Sequence, residues 1–118
     1  MDQHKYYYHA VITSVYDGDT CTVDIDLGLN AWIRNEKLRL YGINAPELRG
    51  SERPQGLVSR DFLREQVSGK EVIIQTIKDK KGKYGRYLAN IWLKDESDTW
   101  ININDSMVES GNAVYKDY

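Results

Sequence analysis

The feature that most constrains the fold is a strict period-two run in which Cys21, Val23, Ile25 and Leu27 alternate with Thr22, Asp24 and Asp26. Successive strand side chains point to opposite faces, so the run predicts a β-strand with one apolar face and one wet face. Such a strand needs neighbours, and the flanking sequence supplies them. Tyr6 to Tyr16 is rich in Tyr, Val, Ile and Thr and ends at the turn Asp17-Gly18-Asp19. Gly28 to Asn30 turns the chain again, and Trp32 to Ile43 reads as a third strand with Leu38, Leu40 and Tyr41 in its second half. Cys21 is thereby a small buried hydrophobe rather than a nucleophile, and a lone cysteine forms no internal disulfide.

Beyond the third strand the pattern changes. Asn44 to Gly56 has loop chemistry and holds both prolines, Pro46 and Pro54. Leu57 to Val67 predicts a helix, with Val58, Phe62, Leu63 and Val67 on one half of the wheel and Gly69 as the stop. Glu71 to Lys78 returns to strand, Asp79 to Gly85 is a charged turn, and Arg86 to Lys94 is a further strand. A last short helix is expected from Asn104 to Ser110, with Asn at its start and Gly111 at its end. Three strands, a helix, two strands and a helix give an α+β chain that is mainly β. The architecture they suggest is an OB-fold, a five-stranded Greek-key barrel with two or three short helices.

Bulk properties narrow the function classes. A chain of 118 residues suits one domain, 1–118. A formal net charge of -2 argues against coating nucleic acid through a broad basic surface, while leaving room for a local arginine site. No apolar run resembles a leader or a membrane span. The expectation is a soluble, cytoplasmic protein, or a secreted one if a leader has been removed. Nine tyrosines against a single Phe place some rings at the surface, where they can stack on bases. Trp32, Trp92 and Trp100 read as core or partly buried strand residues, and Asp24 and Asp26 as the wet strand face. His4 and His9 have no orienting partner nearby in sequence and are poor catalysts.

Three short motifs carry chemistry: Asp17-Gly18-Asp19-Thr20, the segment Arg39 to Glu47, and Lys83-Tyr84-Gly85-Arg86. Each alone is ordinary. Together they suit the cutting of a phosphodiester, an anion whose transition state carries still more negative charge, so that preorganised cations are the main requirement. Arg39 and Arg86 are the candidates, because a guanidinium grips two phosphate oxygens and stays protonated. A hard cation needs oxygen ligands: Asp19 offers a carboxylate, Asn44 a neutral amide carbonyl, and Ala45 a peptide carbonyl made accessible by Pro46. Calcium acidifies bound water weakly, so a separate base is useful, and Glu47 follows Pro46 directly.

The order of Asp-Gly-Asp-Thr, then Arg39 to Glu47, a helix, Tyr-Gly-Arg and a short helix ending in Gly resembles the staphylococcal-nuclease-like family from about Tyr8 to Tyr115. The resemblance implies an OB-fold barrel, Ca²⁺ dependence and cleavage of DNA and/or RNA, single-stranded or unpaired, by a monomer that does not engage a membrane. It implies that Arg39 and Arg86 are phosphate-binding catalytic arginines and Glu47 the general base. Asp19 would be a direct calcium ligand beside Asn44 and the Ala45 carbonyl, with Asp17 near the site and Thr20 supporting the turn. Tyr84 resembles the family tyrosine beside the phosphate arginine. Lys83 belongs to a charged turn able to steer nucleic acid, and Tyr115 is a candidate for stacking on a base. Asn44 departs from the pattern, standing where the best-known members have a second calcium-binding Asp, which implies looser or altered metal binding.

Rival readings stay open at this point. Taken singly, Asp19 and Glu47 are solvated loop carboxylates, and Arg39 in its apolar strand could serve a structural pair with Glu47. The alternative function, from a different class, is a catalytically weak or inactive module that binds nucleic acid or protein.

Overall fold

The computed structural model describes residues 6–116. In chain order the elements are β1 (Tyr7–Asp17), β2 (Thr20–Gly28), β3 (Ala31–Leu40), β4 (Ile43–Asn44), α1 (Arg53–Val67), β5 (Glu71–Lys81), β6 (Tyr87–Lys94), β7 (Trp100–Asn102), α2 (Ile103–Glu109) and β8 (Val114–Tyr115). A single helical turn, Gly50–Glu52, precedes α1.

Five strands close a barrel. β2 pairs antiparallel with β1 and β3, β1 with β5, and β5 with β6. β6 returns beside β3 in parallel, Leu38 opposite Tyr87 and Leu40 opposite Ala89. This is the expected OB-type arrangement of a mainly β, α+β fold. The β2–β3 hairpin turns on Leu29 and Asn30, both left-handed (φ 54° and 63°), the conformation that a two-residue hairpin loop requires. The period-two reading holds through Cys21, Val23 and Ile25, which are buried, but Leu27, at the irregular end of β2, is exposed. Ile12, Val23, Leu38, Leu40, Ile74 and Ile91 fill the interior, and Leu63 and Val67 of α1 and Ile103 and Met107 of α2 extend the same core.

Several expected boundaries move, each for a physical reason. The third strand breaks after Leu40, and the chain turns through Tyr41 and Gly42 before β4, which pairs with β8. Helix α1 begins at Arg53 rather than Leu57, because Pro54 occupies the first turn, where a missing N–H costs nothing. Its buried face is Gly56, Ser59, Leu63 and Val67, whereas Val58 is exposed. β5 continues to Lys81 through an irregularity in which Lys78 and Asp79 adopt φ of 54° and 52°. Helix α2 is capped by Asn102, whose side chain accepts the Asp105 N–H. Asn104 lies inside the helix, fully buried. Trp92 is half-buried and donates to Gln75, as expected, whereas Trp32 and Trp100 are exposed rather than core residues, each with a cation over its ring, Arg34 and Lys94. His9 is exposed, and His4 lies outside the described residues.

Candidate active site

The site forms where three strand ends meet. The β1–β2 turn carries Asp17, Asp19 and Thr20, the end of β3 carries Arg39, and the residue before β6 is Arg86. Register brings them together: Thr20 lies opposite Arg39 in the β2–β3 ladder, and Arg39 lies opposite Leu88 in the β3–β6 ladder.

Arg39 is buried, and two of its three guanidinium nitrogens meet oxygen acceptors. Nη1 donates to the carbonyls of Leu40 (2.7 Å) and Ile43 (2.9 Å). Nη2 lies 3.2 Å from Asn44 Oδ1 and 3.3 Å from Asp19 Oδ2. A buried charge is costly unless paired and hydrogen-bonded, and these four acceptors meet that cost. The structural partner of Arg39 is therefore Asp19, and the rival pairing with Glu47 does not form. Glu47 is exposed and its carboxylate lies 3.5 Å from Arg49.

Asp19 is the hub. Its Oδ2 accepts the Ala45 N–H at 2.8 Å, and its Oδ1 accepts the Thr20 hydroxyl at 3.2 Å. Arg86 Nη1 donates to Thr20 Oγ1 at 3.3 Å, so Thr20 links the second arginine to the carboxylate. Asp17 Oδ1 accepts the Asp19 N–H at 3.0 Å and shapes the turn. Burial first, and then the neighbouring Asp19 charge, push Asp17 up to about 6. The turn fits because residue 18 is glycine: a Cβ there would lie 2.7 Å from the Cβ atoms of both Ala45 and Ser59. Ala45 itself is buried and contributes its N–H to this cluster.

The remaining candidates are more peripheral. Tyr84 is exposed and is flanked by two cations, Lys83 Nζ at 5.2 Å and Arg86 Cζ at 5.4 Å from the ring centre. Tyr115 lies opposite Ile43 in the β4–β8 pair, exposed, and its hydroxyl donates to Asp105 at 3.1 Å. A hollow of about 190 Å³ beside the cluster is lined by Asn44, Ala45, Pro46, Glu52 and residues 111–114.

Two residues outside the three motifs support the site. Ser59 of α1 donates to the Asn112 carbonyl at 2.6 Å, holding the segment before β8 against the helix. Asn104 of α2 fills a gap in the sheet. β3 pairs with β6 as far as Ala89 and β7 takes over at Trp92. Between them the Asn104 amide accepts the Ile91 N–H (3.1 Å) and donates to the carbonyls of Tyr41 (2.9 Å) and Ala89 (3.0 Å). Sequence pattern places Asn104 at the helix start, whereas the structure turns it into the core. The only signal for its true role is an amide at a core-facing position of an otherwise apolar helix face.

Comparison with known proteins adds three findings. A family model described as "Staphylococcal nuclease homologue" matches residues 37–118. An uncharacterized protein of Methanocaldococcus jannaschii is 31% identical over 134 residues, covering 96% of this chain and 61% of that protein. Thermonucleases of Staphylococcus intermedius and Staphylococcus hyicus are 32% and 30% identical, covering 92% and 91% of this chain. The chain spans about 60% of the length of these curated relatives. No helix among the described residues is long and apolar enough to cross a membrane.

Proposed function

Because the chain belongs to the family of staphylococcal nuclease homologues, we propose that it is a calcium-dependent nuclease hydrolysing phosphodiester bonds of DNA and/or RNA, with residues 1–118 acting as one domain. The observation that carries the reading is the continuous hydrogen-bonded cluster joining Arg39, Asp19, Asn44, Thr20 and Arg86.

The chemistry of the donor set suits a hard cation. Asp19, Asn44 and the nearby Asp17 all offer oxygen, as Ca²⁺ prefers. No group of three or more acidic, His or Cys side chains is placed to hold a metal among the described residues. Water and substrate phosphate would therefore complete a shell of about six to eight oxygens. Asp19 and Asn44 would hold the ion, with the Ala45 carbonyl as a further ligand. Bound there, calcium supplies positive charge against the phosphate and orients a water.

The protein's own groups do the rest. The Leu40 and Ile43 carbonyls hold Nη1 and so aim the Arg39 guanidinium. A phosphate oxygen takes its Nη2 edge in exchange for the Asp19 and Asn44 oxygens. Arg86, anchored on Thr20, supplies the second guanidinium, and the two spread the charge of the pentacoordinate transition state. Glu47 leaves Arg49 and accepts a proton from the attacking water. The water oxygen bonds to phosphorus, the ester P–O bond breaks, and the departing oxygen takes a proton from solvent. Tyr84, flanked by Lys83 and Arg86, offers a ring face to a base of an unpaired strand, and exposed Tyr115 offers a second.

The test is degradation of single-stranded DNA and RNA by purified protein with Ca²⁺, with Mg²⁺ and with chelator. Calcium-dependent cleavage that disappears in Glu47→Gln and in Arg39→Ala is expected, and full activity in either variant refutes the assignment. The neutral Asn44, together with an Arg39 already engaged by Asp19, favours one second reading: a module that binds nucleic acid without cutting it, which binding without cleavage in any metal would establish.

A further inference from the structure

Among the described residues the exposed Glu47 side chain pairs with exposed Arg49, and its backbone is held on two sides. On one side, the Glu47 N–H donates to Glu52 Oε1 at 3.0 Å. On the other, the Glu47 carbonyl lies against Gly56 of α1. A Cβ at position 56 would overlap the Glu47 carbonyl oxygen outright, and would lie 2.7 Å from its carbonyl carbon and 3.1 Å from the Pro46 oxygen. These are backbone atoms, which cannot rotate away as the end of a flexible side chain can.

Gly56 is buried inside a 15-residue helix, a place where glycine is a poor choice on helix propensity alone. Its presence has a steric reason. Gly56 and Ser59 lie three residues apart on the buried face of α1, and Ser59 lies against Gly18 of the carboxylate turn. The helix is thus the common surface against which both the carboxylate turn and the Pro46–Glu47 segment are set.

We propose that Gly56, with Glu52, is a positioning residue for Glu47: the bare α-carbon lets the Glu47 peptide rest on α1, and the Glu52 carboxylate pins its N–H, so that the base reaches from a fixed point. This rests on the reading of Glu47 as the base. A side chain at position 56 displaces the Glu47 backbone by the overlap it must relieve, while Asp19, Arg39 and Arg86 keep their own anchors. The loss then falls on the proton-transfer step rather than on substrate binding, since misplacing a reacting group by about 1 Å is enough to cost about 100-fold.

The experiment combines a cleavage cycle with a measurement that needs no cleavage. In calcium-dependent hydrolysis of single-stranded DNA, Gly56→Ala is expected to lower kcat by about 100-fold with KM nearly unchanged. In a Glu47→Gln background it should cost nothing further, because two changes acting through one group do not add. Glu52→Ala should lower kcat, and Glu52→Gln should recover most of it, the amide oxygen still accepting the Glu47 N–H. Separately, a nitroxide on Glu47→Cys, with buried Cys21 unlabelled, should become more mobile on adding Gly56→Ala. If Glu47→Gln alone cleaves normally, the base assignment fails. If Glu47→Gln is impaired but the Gly56→Ala loss is absent or adds in full, the positioning role is overturned. An unchanged nitroxide spectrum overturns it whatever the activity, and the Glu52 pair decides if Gly56→Ala does not fold.

Discussion

Replacing Asn104 by alanine should destabilise the protein out of proportion to the few atoms removed. Asn104 is buried and its amide stands in for the missing rungs between β3 and β7 along β6. The variant leaves the Ile91 N–H in the interior without its acceptor, a desolvation cost of about 1–3 kcal/mol. It also removes the two bonds that the amide donates, at about 1 kcal/mol each, although Ala89 keeps the Tyr41 N–H as a donor at 2.9 Å. The total is about 3–5 kcal/mol, a large share of the roughly 5–15 kcal/mol that holds a domain folded. With an unfolding entropy of about 2.1 cal/mol/K per residue, a chain of 118 residues has about 0.25 kcal/mol/K, so a loss of about 3 kcal/mol lowers Tm by about 12 °C. Asn104→Asp should be worse, since it sets a carboxylate against two carbonyls. Scanning calorimetry of the two variants beside the parent is the assay. A fall in Tm of less than about 3 °C for Asn104→Ala would show that water or strand rearrangement replaces the amide, and the gap-filling argument would be wrong.

Other outcomes follow from the same contacts. Gly18→Ala sets a Cβ 2.7 Å from those of Ala45 and Ser59 and should cost about 1–3 kcal/mol by overpacking, together with weaker calcium binding; unchanged stability in denaturant titration would refute the close approach. Asn44→Asp adds a carboxylate beside Asp19 and should tighten calcium binding measured by titration calorimetry, and weaker binding would remove Asn44 from the ligand set. Tyr8 donates to Asp79, and that bond, with burial and the Asp79 charge behind it, pushes the phenol from 10.0 up to about 12. A folded-state value above the unfolded one means that the contribution is complete below pH 10.0 and is lost as pH rises through about 12. The difference between ultraviolet titrations of the parent and Tyr8→Phe should therefore isolate Tyr8 as late-titrating, returning toward 10.0 in Asp79→Asn; a normal midpoint in that difference would refute it.

Much of the barrel is legible in the sequence because strand pairing obeys local rules. The alternation from Cys21 to Ile25 names its own buried face, and turn residues mark where each hairpin reverses. Arg39, too, announces itself, since a charge flanked by Leu38 and Leu40 in an apolar strand must find partners. Other features are set by contacts between distant segments. Periodicity selects bulky apolar side chains and so picks Val58, whereas the helix turns Gly56 and Ser59 inward because only small residues admit the Glu47 backbone and the Gly18 turn so closely. That Asp19 rather than Glu47 pairs with Arg39 depends on a turn and a strand end folding onto each other, with the two pairing residues twenty positions apart.

The sequence by itself determined the five barrel strands and which residue types are available for phosphodiester chemistry, because those follow from side-chain periodicity and functional groups; the short strands β4, β7 and β8 came only with the fold. The tertiary structure alone decided which oxygens face the Arg39 guanidinium, which amide closes the gap beside β6, and which glycine lets the Glu47 backbone rest against α1. Each of these is a distance between segments remote in the chain. Such distances are set by close packing of the whole core, which local propensity does not encode.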